Sequence, residues 1–197
     1  MLFNPFKIIS GWTSFFIGLT IIAITSLIAF LGNINLDGIL DLHIGQRASV
    51  FFSFAEGLID WLSIAFFTLI SGLVFSKSTI RLVNVFGMQA LARFPYLLAT
   101  ILTLFLFSDK IGRYIEWELL AKGNSVSIGV GDIVSFAFLI LSMFTILVWS
   151  CVLMYRAYSL SCSIKGTKGV LSFITCMILA EVVSKVIITI LYNKIYL

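Results

Sequence analysis

Residues 56–95 read EGLIDWLSIAFFTLISGLVFSKSTIRLVNVFGMQALARFP, and the rest of the chain is organised around them. Two carboxylates four residues apart, Glu56 and Asp60, head an apolar run that ends at Phe75. A short basic turn with Lys77 and Arg81 follows. A second helical stretch then meets Arg93 and Pro95 just before another apolar run. A charge placed in hydrocarbon costs several kcal/mol unless it finds a partner or water. The segment therefore faces other helices rather than lipid, and the remaining chain must supply the partners.

Composition sets the solvent. Hydrophobic residues make up 60% of the 197 residues and charged residues 11%, with a mean hydropathy of +1.13. Soluble domains carry roughly 25% charged residues, so most side chains here cannot face water. The expected fold is an all-α polytopic integral membrane protein with five transmembrane helices, treated as one transmembrane domain over residues 1–197. A span needs about 20 apolar residues, and the runs lie at about 12–31, 54–75, 87–107, 133–155 and 170–192. The opening segment has a single Lys7 and no short apolar core with a small-residue cleavage site, which argues against a removable signal peptide.

Between the spans, residues 32–50 read as a polar loop carrying Asp37, Asp41, His43 and Arg47. Residues 78–92 are amphipathic at helical spacing and predict an interfacial helix. In it, Arg81 and Asn84 face headgroups, and Leu82, Val85 and Phe86 face apolar surroundings. Pro95 removes a donor and restrains Phe94, so the third span is broken there. In the long polar stretch 108–131, the first half reads as a second interfacial helix and the second half as a Gly/Ser linker. Asp132 caps the fourth span, which continues as helix beyond the bilayer. Residues 165–169 form the last turn.

Orientation follows from counting. The N-terminus and the second-to-third and fourth-to-fifth connections hold Lys7, Lys77, Arg81, Arg93, Arg156, Lys165 and Lys168, with no acid. The opposite side mixes Arg47, Lys110, Arg113, Lys122 and Lys194 with Asp37, Asp41, Asp109, Glu116, Glu118 and Asp132. Basic residues near span ends stay inside, which predicts a cytoplasmic N-terminus and an outer C-terminus. The net charge of +4 then faces anionic headgroups. It does not point to nucleic acid.

The charged residues within the spans form the candidate site: Glu56, Asp60, Arg93, Glu181 and Lys185. Glu181 and Lys185 are a favourable i,i+4 pair, with Ser184 close enough to share the Glu181 charge. Lys185 and Asp60 lie about 15–16 residues from the same face, or roughly 22–24 Å at 1.5 Å per residue. Spans two and five should therefore pack through an Asp60–Lys185 contact. Arg93, nearer the inner surface, is expected to snorkel there. The cluster is an ion-pair latch between helices or a pathway for an ion, proton or polar solute, unless Glu56 and Asp60 simply lie at the outer interface.

No nucleophile–base pair can be assembled, so no enzyme activity is expected, and neither a cofactor nor a metal. His43 is the only histidine, and Cys151, Cys162 and Cys176 lack ligand spacing and read as buried thiols. The string Gly129-Val130-Gly131-Asp132 resembles the GxGD motif of intramembrane aspartyl proteases. Asp132 opens its helix instead of lying within it, and the Pro-Ala-Leu element is missing, so a helix cap is the better reading.

The stretch AEGLIDWLSIAFFTLISGLVF, the Arg93-Phe94-Pro95 junction and WSCVLMYRAYSLSCSIKGTKGVLSFITCMILAEVVSK together resemble the Yip (Ypt/Rab-interacting) membrane protein family. The resemblance covers roughly residues 5–192. It implies five spans with an inner N-terminus, the topology that the charge count gives independently. Eukaryotic members act in ER–Golgi traffic and carry a long cytosolic N-terminal region. Here about eleven residues precede the first span, which implies a short bacterial-type member in the cytoplasmic membrane. The resemblance implies a non-enzymatic, membrane-organising or interaction scaffold, with the lipid bilayer and a protein at the cytoplasmic face as partners. The alternative is a small transporter or channel that uses the intramembrane charges.

Overall fold

The computed structural model describes residues 4–45, 49–120 and 127–196. Among them, five helical segments are long and apolar enough to cross a membrane. Helix α1 is Gly11–Leu31 and α2 is Val50–Phe75. The third span, Leu82–Leu106, is broken into α3, Leu82–Leu91, and α4, Phe94–Leu106. Helix α5, Asp109–Leu120, precedes the two longest helices, α6 (Val130–Ser161) and α7 (Gly166–Tyr196). The chain is an all-α polytopic membrane protein.

Helix α1 packs against α2, α3 and α4; α6 lies along α3 and α4, and α7 lies along α2. Small residues set the closest crossing. A Cβ on Gly18 would stand 2.4 Å from the Ala90 Cβ, and one on Gly87 would stand 2.7 Å from the Ser14 hydroxyl. Backbones approach this closely in membranes because helix association there depends on direct packing rather than on water exclusion. Helices α6 and α7, at 32 and 31 residues, are each more than 45 Å long at about 1.5 Å per residue. They outrun the roughly 30 Å hydrocarbon layer, as expected for the continuation of span four.

Three expectations about connections are revised. Residues 82–91 are not an interfacial helix. Val85, Met88, Gln89, Ala90 and Leu91 are all buried, and α3 is the first half of the third span. Its apolar face meets α1 rather than lipid, while Leu82 and Arg81 are exposed at its start. The segment between α1 and α2 is not a solvated polar loop either. Ile34, Leu36 and Ile39 are at most 1% exposed, and a short hairpin of β1 (Ile34–Asn35) and β2 (His43–Ile44) folds it back on the bundle. Finally, α7 starts at Gly166, so the last turn lies between Ser161 and Gly166.

Other expectations hold. The third span breaks at Ala92 and Arg93, with Pro95 in the first turn of α4, where no intrahelical donor is required. Residues 109–120 are helical. The cap of the fourth span is corrected: α6 starts at Val130 with Gly129 as its N-cap, and Asp132, at the third helical position, accepts from the Gly129 amide at 2.9 Å and takes the Lys110 ammonium at 2.7 Å. Residues 121–126, the end of the expected helix and the start of the expected linker, and Arg47 lie outside the described residues.

Candidate functional site at the acidic end of the bundle

The site grows from one face of α2. Ser53, Glu56, Gly57 and Asp60 stand at i, i+3, i+4 and i+7 and are all buried. Asp60 is fully buried and its Oδ2 accepts from Arg93 Nη2 at 3.1 Å. Arg93 is carried by the break between α3 and α4. Its guanidinium does not run to the surface at the basic end of the bundle, as snorkelling required, but stays buried in the core against Asp60. Its Cζ sits 4.6 Å from the centroid of the Tyr96 ring, one turn on in α4. That stacking is a cation–π contact, strengthened by desolvation.

Tyr96 passes the connection on. Its hydroxyl donates to the Ile39 carbonyl of the α1–α2 connection. Two further carboxylates hold the same segment by its amides: the Leu36 N–H donates to Glu56 Oε2 at 3.4 Å, and the Leu40 N–H to Glu181 Oε2 at 3.0 Å. Irregular backbone is tolerated at bilayer depth only where the protein satisfies its polar groups. Here α2, α4 and α7 each supply one partner.

Lys185 completes the clamp. Its ammonium donates to Asp41 Oδ2 at 2.8 Å and lies 3.3 Å from Glu181 Oε1, the expected i,i+4 pair. The anticipated Asp60–Lys185 contact is replaced by two separate ion pairs, Asp60–Arg93 and Lys185–Asp41. Helices α2 and α7 do pack together, as their matched depths required, and Ser184 of α7 lies within electrostatic reach of Asp60. The Ser184 hydroxyl donates to the Glu181 backbone carbonyl. The rotation of each helix, which depth does not fix, decided the partners.

Gly38 allows the segment to approach α7. A Cβ there would stand 2.4 Å from Glu181 Oε1 and 2.9 Å from Lys185 Cε. Beyond it, a cavity of about 340 Å³ is lined by Asn35, Asp37, His43, Glu56 and Tyr192 among others. His43 Nδ1 lies 3.0 Å from Asp37 Oδ1, raising the imidazole above its ordinary pKa and lowering that of the carboxyl.

Sequence reasoning missed Tyr96, Gly38, Asp41 and the Leu36 and Leu40 amides as partners. One signal was present: in Asn33-Ile34-Asn35-Leu36-Asp37 polar and apolar residues alternate, the pattern of a half-buried extended segment. Among the described residues, no group of three or more His, Cys, Asp or Glu side chains is arranged to hold a metal ion. The three cysteines are free thiols; Cys162 and Cys176 are buried and Cys151 is half-buried.

Comparison of the chain with protein families, curated proteins and solved structures finds no match.

Proposed function

We propose that this membrane protein is a non-enzymatic scaffold of the Yip type, in which the intramembrane charges latch the α1–α2 connection across one end of the bundle. The observation that carries the reading is the commitment of the charged groups to that segment. Glu56 and Glu181 accept its amides, Lys185 takes Asp41, and Asp60 positions Arg93 beneath Tyr96. A closed end leaves the basic end, with exposed Lys77, Arg81, Lys165 and Lys168, as the face for lipid or protein partners. In this reading that end is cytoplasmic and the membrane is the bacterial inner one.

A pathway for an ion, proton or polar solute is the second reading. Asp60 Oδ1 and Arg93 Nη1 are buried without a hydrogen-bond partner in the protein. Glu56, one turn from Asp60, lines the cavity at the acidic end. Purified protein in sealed vesicles separates the two. The scaffold reading expects proton and monovalent-cation flux equal to that of protein-free vesicles. Flux above that level, abolished by Asp60→Asn, would replace the latch with a pathway. Orientation has its own test: single cysteines at Asn193 should react with an impermeant reagent added outside cells, and those at Lys77 or Thr167 should not. The reverse pattern overturns the topology.

A further inference from the structure

At the basic end, α2 and α7 leave a groove of about 610 Å³ between them, within the roughly 300–1,000 Å³ range of small-molecule sites. Its walls are apolar and lie open: Ile70 and Val74 on α2, Leu171 and Leu179 on α7, with Thr175 between the latter two. Lys168 stands at one end. From Lys168 to Leu179 the groove follows one face of α7 for eleven residues, or about 16 Å. That is half of the roughly 30 Å hydrocarbon thickness, the depth of a single leaflet.

The floor asks for no polar ligand. Ser71 and Tyr158 share a hydrogen bond of 2.7 Å, Tyr158 and Ser172 one of 2.8 Å, and the Ser172 hydroxyl donates to the Lys168 carbonyl at 2.7 Å. The Cys176 thiol donates to the Phe67 carbonyl. With its polar groups satisfied internally, the groove suits a hydrocarbon chain. The mouth is different. Lys168 lines the groove, Lys165 lies three residues before it and Lys77 two residues beyond the lining Phe75, and all three are exposed. None of the nine acidic residues belongs to the connections at this end.

We infer that this groove binds one acyl chain of an anionic phospholipid from the adjoining leaflet, its headgroup held by Lys77, Lys165 and Lys168. The inference is independent of whether the acidic end acts as a latch or a pathway. A single-leaflet depth, an apolar wall and a cationic rim select a phospholipid with negative charge over a zwitterionic one. The occupant lies along the groove with its phosphate at the level of Lys168 and its chain directed toward Leu179.

The test introduces a tryptophan into the groove, Thr175→Trp, and compares its emission with that of the parent protein in phosphatidylcholine nanodiscs. The discs carry a minor fraction of either phosphatidylglycerol or phosphatidylcholine with brominated chains. The expected result is stronger quenching by brominated phosphatidylglycerol, with an apparent preference on the order of fivefold for each lysine engaged. The preference should disappear in Thr175→Trp combined with Lys77→Gln, Lys165→Gln and Lys168→Gln. Leu179→Trp, deeper in the groove, serves as the reporter if Thr175→Trp does not fold. Equal quenching by the two lipids would reduce the groove to ordinary annular contact and overturn the site. A preference that survives loss of the lysines would overturn the headgroup assignment. Shielding from both lipids with a dimeric mass would give the groove to a second copy of the chain.

Discussion

Asp60 and Arg93 form a buried ion pair with an N–O distance of 3.1 Å, joining the middle of α2 to the break between α3 and α4. The helix break is what makes the pair possible. It lets a long cationic side chain leave the third span inside the bundle rather than along its surface. Through Tyr96 the pair also reaches the Ile39 carbonyl, so it is coupled to the closure of the acidic end.

Removal of one member of this pair should hurt more than removal of both. Arg93→Met leaves Asp60 buried without its cation, a loss of about 3–5 kcal/mol for a pair broken from one side. Arg93→Met with Asp60→Asn should recover part of it, because an uncharged amide is cheaper to bury. Thermal unfolding in detergent of the two single variants and the double variant measures the coupling. Additive losses would mean that the pair contributes nothing as a unit.

Lys185 and Asp60 should behave independently. Lys185 pairs with Asp41 and Glu181, and both Lys185 and Asp41 are more than two-fifths exposed. Exposed pairs contribute about 0–1 kcal/mol, so Lys185→Met should lower stability only slightly. The double variant with Asp60→Asn should show the sum of the two losses. A coupling as large as that of Arg93 with Asp60 would restore the direct contact inferred from depth.

Gly38 offers a test of the latch itself. A valine there meets Glu181 Oε1 and Lys185 Cε, and both side chains must retreat. The Leu40 amide, part-buried, then loses its acceptor, at a cost toward the lower end of the about 1–3 kcal/mol of a fully buried donor. In a cysteine-free background, Ile39→Cys should react slowly with a soluble maleimide, and adding Gly38→Val should accelerate it. Unchanged labelling would show that the α7 carboxylate does not hold the segment.

The His43–Asp37 contact predicts a pH dependence. The imidazole is raised from 6.5 chiefly by its hydrogen bond to Asp37, and also by the charges of Asp37, Asp41 and Glu56. Asp37 is lowered from 3.8 chiefly by the same hydrogen bond. A raised histidine stabilises fully below its unfolded value, and this is lost as pH rises through the folded value. A lowered carboxylate stabilises above its unfolded value and loses this as pH falls. The hairpin should therefore dock best between pH 3.8 and 6.5 and loosen as pH rises through the raised histidine value. Labelling of Leu36→Cys should accelerate from pH 6 to pH 8, after correction for the reagent's own pH dependence, and His43→Gln should flatten the change. The same acceleration in His43→Gln would assign it elsewhere.

The sequence by itself determined the number and approximate limits of the spans, the break before Pro95 and the presence of charges that had to be paired inside. Those properties are local: hydropathy, helical period and proline geometry act within one segment. Depth also follows from sequence, because an α-helix rises a fixed distance per residue, and it placed α2 and α7 side by side. It could not choose between Arg93 and Lys185 as the partner of Asp60, since the direction of a side chain around its helix axis depends on how several helices pack at once. The fate of residues 33–45 was decided the same way. As a free segment its asparagines and aspartates favour water. In the bundle, carboxylates from α2 and α7 and the Tyr96 hydroxyl from α4 take up its amides and carbonyl, and Ile34, Leu36 and Ile39 become core. Only the tertiary structure brings those three groups to one place.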